Sequence, residues 1–251
     1  MSADILAVEN LSRRFGGVQA VRDVHFAVPT GQMRAVIGPN GAGKSTFFNL
    51  LTGFIGCDSG RIVFKGRDVT GLPPHKLCRL GLGRTFQINS IFPSATVLEN
   101  VQVALLSHRG KIWNMGAAAD RLLVREAEAL LATLGLDDRA HKLGSALAYG
   151  DRRRLEVALA LACEPQLLLL DEPTAGMSLP DKPAMVELIR TVGRERGVTV
   201  VLIEHDMDMV FAVADRITVL HQGAVFAEGT PAEIKANVHV QQIYLGEDGD
   251  A

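Results

Sequence analysis

Nine consecutive residues, Gly38-Pro39-Asn40-Gly41-Ala42-Gly43-Lys44-Ser45-Thr46, have the types and order of a loop that holds a polyphosphate. They fulfil the pattern G-x-x-x-x-G-K-[S/T]. Glycines let the backbone turn through positive φ and wrap closely around an anion, because no β-carbon stands in the way. Successive amide groups and the start of a following helix then point at the negative charge. Lys44 adds a point charge for the outer phosphates, and the Ser45 hydroxyl is placed to ligate Mg²⁺. The spacing predicts a nucleoside triphosphate as ligand.

Two charged clusters further along could act on that ligand. Asp171-Glu172 follows the apolar run Leu167–Leu170, and Glu204-His205-Asp206 follows Val198–Ile203. Asp171 is suited to hold Mg²⁺ through water, and Glu172 to orient or deprotonate an attacking water. An Asp-Glu pair after a strand is commonly a solvated turn. Its company with Lys44 and the sequel Pro173-Thr174 favours catalysis.

The elements that must position these groups can be read from periodicity. Met33–Ile37 reads as a short apolar strand ahead of the glycine loop, and Thr46–Leu51 as a helix ending at Gly53. The two continuous apolar runs match central strands of a parallel sheet covered on both faces. Ligands of such sheets sit beyond the carboxyl ends of the strands, so loop, acidic pair and histidine are expected along one edge. Residues 5–8 and 24–28, a turn at Gly16-Gly17, and Arg61–Phe64 suggest an antiparallel β layer. Helical spacing over Thr96–Ser107, Ala118–Leu134 and Arg152–Ala162, with an irregular connection at Ser107–Gly116, suggests an inserted helical subdomain. The expected organisation is one α/β P-loop NTPase domain over 5–246. Its core would span 5–86 and 165–246, its helical insertion 87–164, and a frayed tail 247–251.

Composition narrows the partners. The 251 residues are 47% hydrophobic, ample for one α/β core, and carry 26 basic against 28 acidic residues. A net charge of -2 gives no basic bias toward nucleic acid. Cys57, Cys78 and Cys163 are odd in number and far apart, as in reduced thiols of a cytosolic protein. With no Cys-x-x-Cys or paired Cys/His spacing, no zinc site is expected. No apolar run approaches the ~20 residues that span a bilayer. Met1-Ser2-Ala3-Asp4 lacks the basic start and apolar core of a signal peptide. A soluble chain is expected, reaching a membrane through a partner.

The order of motifs resembles the ABC-type ATPases. Leu147-Ala148-Tyr149-Gly150-Asp151-Arg152-Arg153 lies upstream of Leu167–Glu172, where that family carries its signature, usually Leu-Ser-Gly-Gly-Gln. Gln87, in Arg84-Thr85-Phe86-Gln87, sits at the family's glutamine loop, His205 at its switch histidine, and Phe15 at the aromatic residue that stacks on adenine. The likeness runs from about Ala7 to Glu228, and the chain resembles an ABC transporter ATP-binding subunit. The resemblance implies ATP and Mg²⁺ as cofactors and a second ABC ATPase subunit joined head to tail. Ala148, Tyr149, Gly150 and Asp151 of one subunit would then close over the ATP in the phosphate loop of the other. It also implies that Gln87 senses Mg²⁺ and water while touching a transmembrane permease subunit. Asn89–Pro93 would be the docking surface, and a solute-binding protein an indirect partner. The implied location is the cytoplasmic face of the membrane.

Departures from the family pattern point to a subgroup. Ala148, Tyr149 and Asp151 replace Ser, Gly and Gln, and Ala175-Gly176-Met177-Ser178 replaces Ser-Ala-Leu-Asp. With Asp171-Glu172-Pro173-Thr174 before that stretch and the tail Tyr244-Leu245-Gly246-Glu247, these resemble ATPases of branched-chain amino-acid importers. Related systems for urea or short amides, an ATPase for lipid or lipopolysaccharide export, and a soluble ABC-type scaffold remain as alternatives.

Overall fold

A computed structural model describes residues 4–85, 91–110 and 123–245. The chain begins with a hairpin of β1 (Asp4–Phe15) and β2 (Val18–Pro29), joined at Gly16-Gly17. It runs through β3 (Met33–Ile37) and α1 (Lys44–Leu51), then returns to the hairpin layer as β4 (Ser59–Phe64) and β5 (Arg67–Asp68). α2 (Pro74–Leu80) leads into the short β6 (Leu82–Arg84). Among the described residues three α-helices follow, α3 (Val97–His108), α4 (Val124–Thr133) and α5 (Tyr149–Leu161). The last third alternates strand and helix: β7 (Leu167–Asp171), α6 (Lys182–Arg190), β8 (Thr199–Ile203), α7 (Met207–Val213), β9 (Arg216–His221) and β10 (Ala224–Gly229). It ends in α8 (Pro231–Ala236) and α9 (Val238–Leu245).

Two sheets result. A four-stranded antiparallel layer has the order β2-β1-β4-β5, and a six-stranded sheet has the order β10-β9-β3-β8-β7-β6. In the larger sheet β9, β3, β8, β7 and β6 are parallel and β10 joins antiparallel at the edge. Every residue of β3, β7 and β8 is buried, as continuous apolar strands covered on both faces require. Their side chains alternate between two cores. Leu168, Leu170, Val200 and Leu202 pack with α3–α5, while Leu167, Leu169, Val201 and Ile203 pack with α1 and the antiparallel layer. The expected mixed α/β P-loop architecture is the one observed.

Local signals explain several boundaries. Thr96 caps α3 in a reciprocal box with Glu99, and Thr230 does the same for α8 with Glu233. Gly53, at φ +69°, closes α1 in a Schellman turn, with the Phe54 and Gly53 amides donating to Asn49 and Leu50 carbonyls. A β-carbon on Gly53 would overlap the Leu72 carbonyl oxygen, so the site needs glycine twice over.

Other boundaries differ from expectation. β1 and β2 each run for 12 residues, beyond the expected 5–8 and 24–28. Register shifts near Asn10 and Asp23, both at positive φ, break the apolar alternation while backbone pairing continues. α5 starts at Tyr149 and not at Arg152, because its N-cap is Ala148, which offers no side-chain oxygen to mark a start. Gln87, Asn89, the first part of the expected Ala118–Leu134 helix and the 247–251 tail lie outside the described residues.

Candidate active site

The phosphate-type loop links buried β3 to α1 at the carboxyl edge of the larger sheet. Gly43 is the N-cap of α1 at φ +97°, in left-handed space, and no side chain caps that helix start. The first-turn amides, which have no carbonyl four residues back, are thereby left facing the loop. A β-carbon on Gly38 would overlap the Leu220 carbonyl oxygen, and one on Gly43 that of Ala20. Close backbone packing, as well as turn geometry, demands these glycines. Lys44 is buried and folds back over the loop, donating to the carbonyls of Gly38 (2.6 Å) and Pro39 (2.8 Å).

Residues Asn40 to Thr46 line a cavity of about 460 Å³ together with Glu172, His205, Gln222 and the Val18–Ala20 segment of β2. The loop, the acid and the histidine, distant in sequence, thus meet at one sheet edge. Glu172 Oε1 lies 3.0 Å from His205 Nε2. The Glu172 backbone sits at φ +48°, uncommon for a residue with a side chain, and its amide is held by the Ile203 carbonyl at 3.0 Å. The Glu172 side chain lines the cavity from that turn.

Behind this pair stands a carboxylate whose part sequence spacing did not reveal. Glu204 is buried and accepts hydrogen bonds from the Thr174 amide (2.8 Å) and hydroxyl (2.5 Å) and from the His205 amide (3.0 Å). It ties the loop after Glu172 to the histidine's backbone. The hint in the sequence is a charge placed directly after a continuous apolar strand.

Asp171, at the end of β7, is also buried. Its Oδ2 accepts from Arg84 Nη2 at 2.8 Å, while its Oδ1 is buried without a hydrogen-bond partner. Arg84 also donates to Asn49 Oδ1 (2.7 Å) and Thr52 Oγ1 (3.0 Å), joining β6, β7 and α1. Removing one member of a buried ion pair strands the other charge. Arg84→Met is therefore expected to destabilise the fold by about 3 kcal/mol, read as a lower urea midpoint; an unchanged midpoint would contradict the pairing.

Gly38, Pro39 and Asp171 do not line the cavity, and neither do two further groups of predicted site residues among those described. Phe15 is exposed at the hairpin end opposite Val18, with the Arg13 guanidinium 4.9 Å from its ring centroid. Val18, its pairing partner, is at the cavity and Phe15 is not. The Ala148-Tyr149-Gly150-Asp151 turn opens α5 elsewhere on the chain. Tyr149 donates to the Ala175 carbonyl at 3.0 Å and packs on Gly176, so this turn leans on the loop that follows Glu172. Gly150 keeps room for Asp181, and Asp151 pairs with Arg139 at 2.6 Å. The basic residues of this helix are engaged within the chain, although Arg154 Nε is buried without a hydrogen-bond partner. Arg152 donates to the Leu147 and Ser145 carbonyls, Arg153 pairs with Glu156, and Arg154 with Asp151.

A family profile described as ABC transporter matches residues 21–175, and one described as branched-chain amino acid ATP-binding cassette transporter matches residues 224–250. The chain is 41% identical over 254 residues to the high-affinity branched-chain amino acid transport ATP-binding protein BraF of Pseudomonas aeruginosa, covering 98% of this chain and 100% of the relative. A crystal structure of an ABC transporter's ATP-binding cassette in its ADP conformation superposes with a TM-score of 0.86 at 32% identity, covering 98% and 100% of the two chains. A dimeric ATP-binding cassette bound to ADP and Pi in a post-hydrolysis state gives 0.76 at 25% identity, covering 90% and 98%. The chain belongs to the ABC transporter family, among its ATP-binding, ATP-hydrolysing subunits.

Proposed function

We infer that this chain hydrolyses ATP to drive an importer of branched-chain amino acids, held at the cytoplasmic face of a membrane by permease subunits. The observation that carries the ATPase reading is the 3.0 Å contact of Glu172 with His205 in the same cavity as the glycine loop. The solute class rests on the likeness to BraF and on the match at residues 224–250.

Gly38 to Thr46 would hold the triphosphate, with Lys44 turning from the loop carbonyls to the outer phosphates. Ser45, Asp171 and Gln87 would hold Mg²⁺. The unpartnered, buried Oδ1 of Asp171 fits that assignment, since a buried carboxylate oxygen needs a donor or a cation. The ion would supply positive charge to the phosphate oxygens. Glu172 would accept a proton from water as the water oxygen bonds to the γ-phosphorus. The bond to the bridging oxygen then breaks, leaving ADP and phosphate. His205 would hold the Glu172 carboxylate in place and contact the γ-phosphate.

Phe15 would stack on adenine from the hairpin end. The α5 start, without a side-chain cap at Ala148 and not among the residues lining the chain's own glycine-loop cavity, would meet the γ-phosphate of a second ABC ATPase subunit. Loss of that phosphate on hydrolysis would loosen the pair.

Among the described residues no helix is long and apolar enough to cross a membrane. Force would pass to the permease at Asn89–Pro93. Phe92 there is 54% exposed and borders an apolar cavity of about 340 Å³ with Phe54, Val103 and Leu159. The solute, delivered by a solute-binding protein to the permease, would not touch this chain.

The test is ATP hydrolysis by the purified complex with its solute-binding protein. Stimulation by leucine, isoleucine or valine is expected. Stimulation by urea, short amides or lipid instead would overturn the solute class, and an ATPase that co-purifies with soluble proteins alone would overturn the transport role.

A further inference from the structure

Local spacing in the sequence gives no zinc motif, yet the fold gathers three ligand-type side chains from separate elements. Cys78 lies near the end of α2, His108 is the last residue of α3, and Cys163 is two residues past the end of α5. Their two Sγ atoms and an imidazole nitrogen all lie within 4.8 Å of one another, and all three residues are half-buried. None of them lines the cavity of the glycine loop.

We propose that Cys78, His108 and Cys163 form a zinc-binding site separate from the nucleotide site, with a water in the fourth position. The donor set suits the metal: thiolate and imidazole are the ligands a borderline-soft, tetrahedral Zn²⁺ takes. Zinc–sulfur and zinc–nitrogen bonds of tetrahedral sites place such donors about 3.5–3.8 Å apart. The donors already lie within 4.8 Å of one another, so reaching that spacing asks for a closure of at most about 1.3 Å. Two thiolates would balance the divalent charge. Arg109, next to His108, is already committed to Glu126 (3.2 Å) and Glu164 (3.0 Å), so its charge is compensated.

Space for the fourth ligand exists on one side. Cys78, Ser107 and Cys163 form part of the wall of the 340 Å³ cavity, so a water there can reach the ion. Three protein ligands and an open position describe an accessible site and not a closed structural one. With the ion bound, α2 would be joined to the ends of α3 and α5 along that wall.

The experiment uses the full chain, kept reduced by a phosphine, with Co²⁺ as the spectroscopic probe and Mg²⁺ in excess. One equivalent of Co²⁺ is expected to give thiolate-to-cobalt charge transfer and tetrahedral ligand-field bands, both bleached by Zn²⁺. Cys78→Ser and Cys163→Ser should abolish the charge-transfer band at one equivalent. His108→Ala should weaken Co²⁺ binding by more than about tenfold, and Cys57→Ser should change nothing. A second measurement needs no variant: Zn²⁺ should protect Cys78 and Cys163, but not Cys57, from alkylation. A missing charge-transfer band, a band that survives in Cys78→Ser, or equal alkylation with and without Zn²⁺ would overturn the site.

Discussion

Glu172→Gln is expected to reduce ATP turnover by about 10²- to 10⁴-fold, the usual contribution of a positioned general base. The amide keeps the shape of the side chain and can still meet His205 Nε2, now 3.0 Å from Oε1, but it cannot accept the water's proton. The left-handed backbone at residue 172 is unaffected, because glutamine tolerates it as poorly as glutamate does. Nucleotide affinity should therefore stay near that of the wild type. Single-turnover hydrolysis and equilibrium ATP binding, measured on the same preparation, separate the two effects. Turnover like that of the wild type would remove Glu172 from its role.

Lys44→Ala is the second large effect, and it falls on binding. The ammonium is buried against the loop and would contribute charge-assisted bonds to the phosphates, each worth about 1.5–3 kcal/mol. Losing two of them lowers affinity for ATP by about 10²- to 10⁴-fold. The same change also removes the bonds from Nζ to the Gly38 and Pro39 carbonyls, so the loop itself should loosen. Titration calorimetry with ATP reads the first consequence, and amide hydrogen exchange over residues 38–46 reads the second. Unchanged affinity would discredit the loop as the triphosphate's holder.

How much of this was legible in the sequence follows from how local each signal is. The glycine loop is nine neighbouring residues, and steric demands at Gly38 and Gly43 are met by composition alone. β7 and β8 announce themselves as unbroken apolar runs, and the charges that end them fall at the sheet edge where the cavity lies. The part played by Arg84 is not legible locally, because its bond to Asp171 spans 87 positions and depends on β6 pairing with β7. β6 itself, three residues with a glycine in the middle, carries no pattern that periodicity can detect. α5 starts three residues before the periodic stretch that begins at Arg152, and no capping side chain at Ala148 marks that start. The contact of Tyr149 with Ala175 and the Cys78–His108–Cys163 cluster are long-range and belong to tertiary structure.

The Tyr149 contact bears on coupling. The stretch Ala175-Gly176-Met177-Ser178 is where the sequence departs from the Ser-Ala-Leu-Asp pattern of the family it resembles. Ser178 instead donates to Asp181 Oδ2 at 2.6 Å, and Asp181 stands beside Gly150 in the α5 start. The loop after Glu172 thus reaches the α5 turn at two points, through Tyr149 and through Asp181. Any shift of Glu172 on loss of phosphate has a short route to the surface that would face a second subunit.

The most direct test of the central claim, a triphosphate shared by two chains, is a crystal structure of Glu172→Gln grown with ATP and Mg²⁺. The account predicts the triphosphate wrapped by residues 38–46. Its γ-phosphate would lie between the residue 172 and His205 pair of one chain and the Ala148–Tyr149 turn of a second. A triphosphate enclosed by one chain alone, or seated away from the glycine loop, would contradict it.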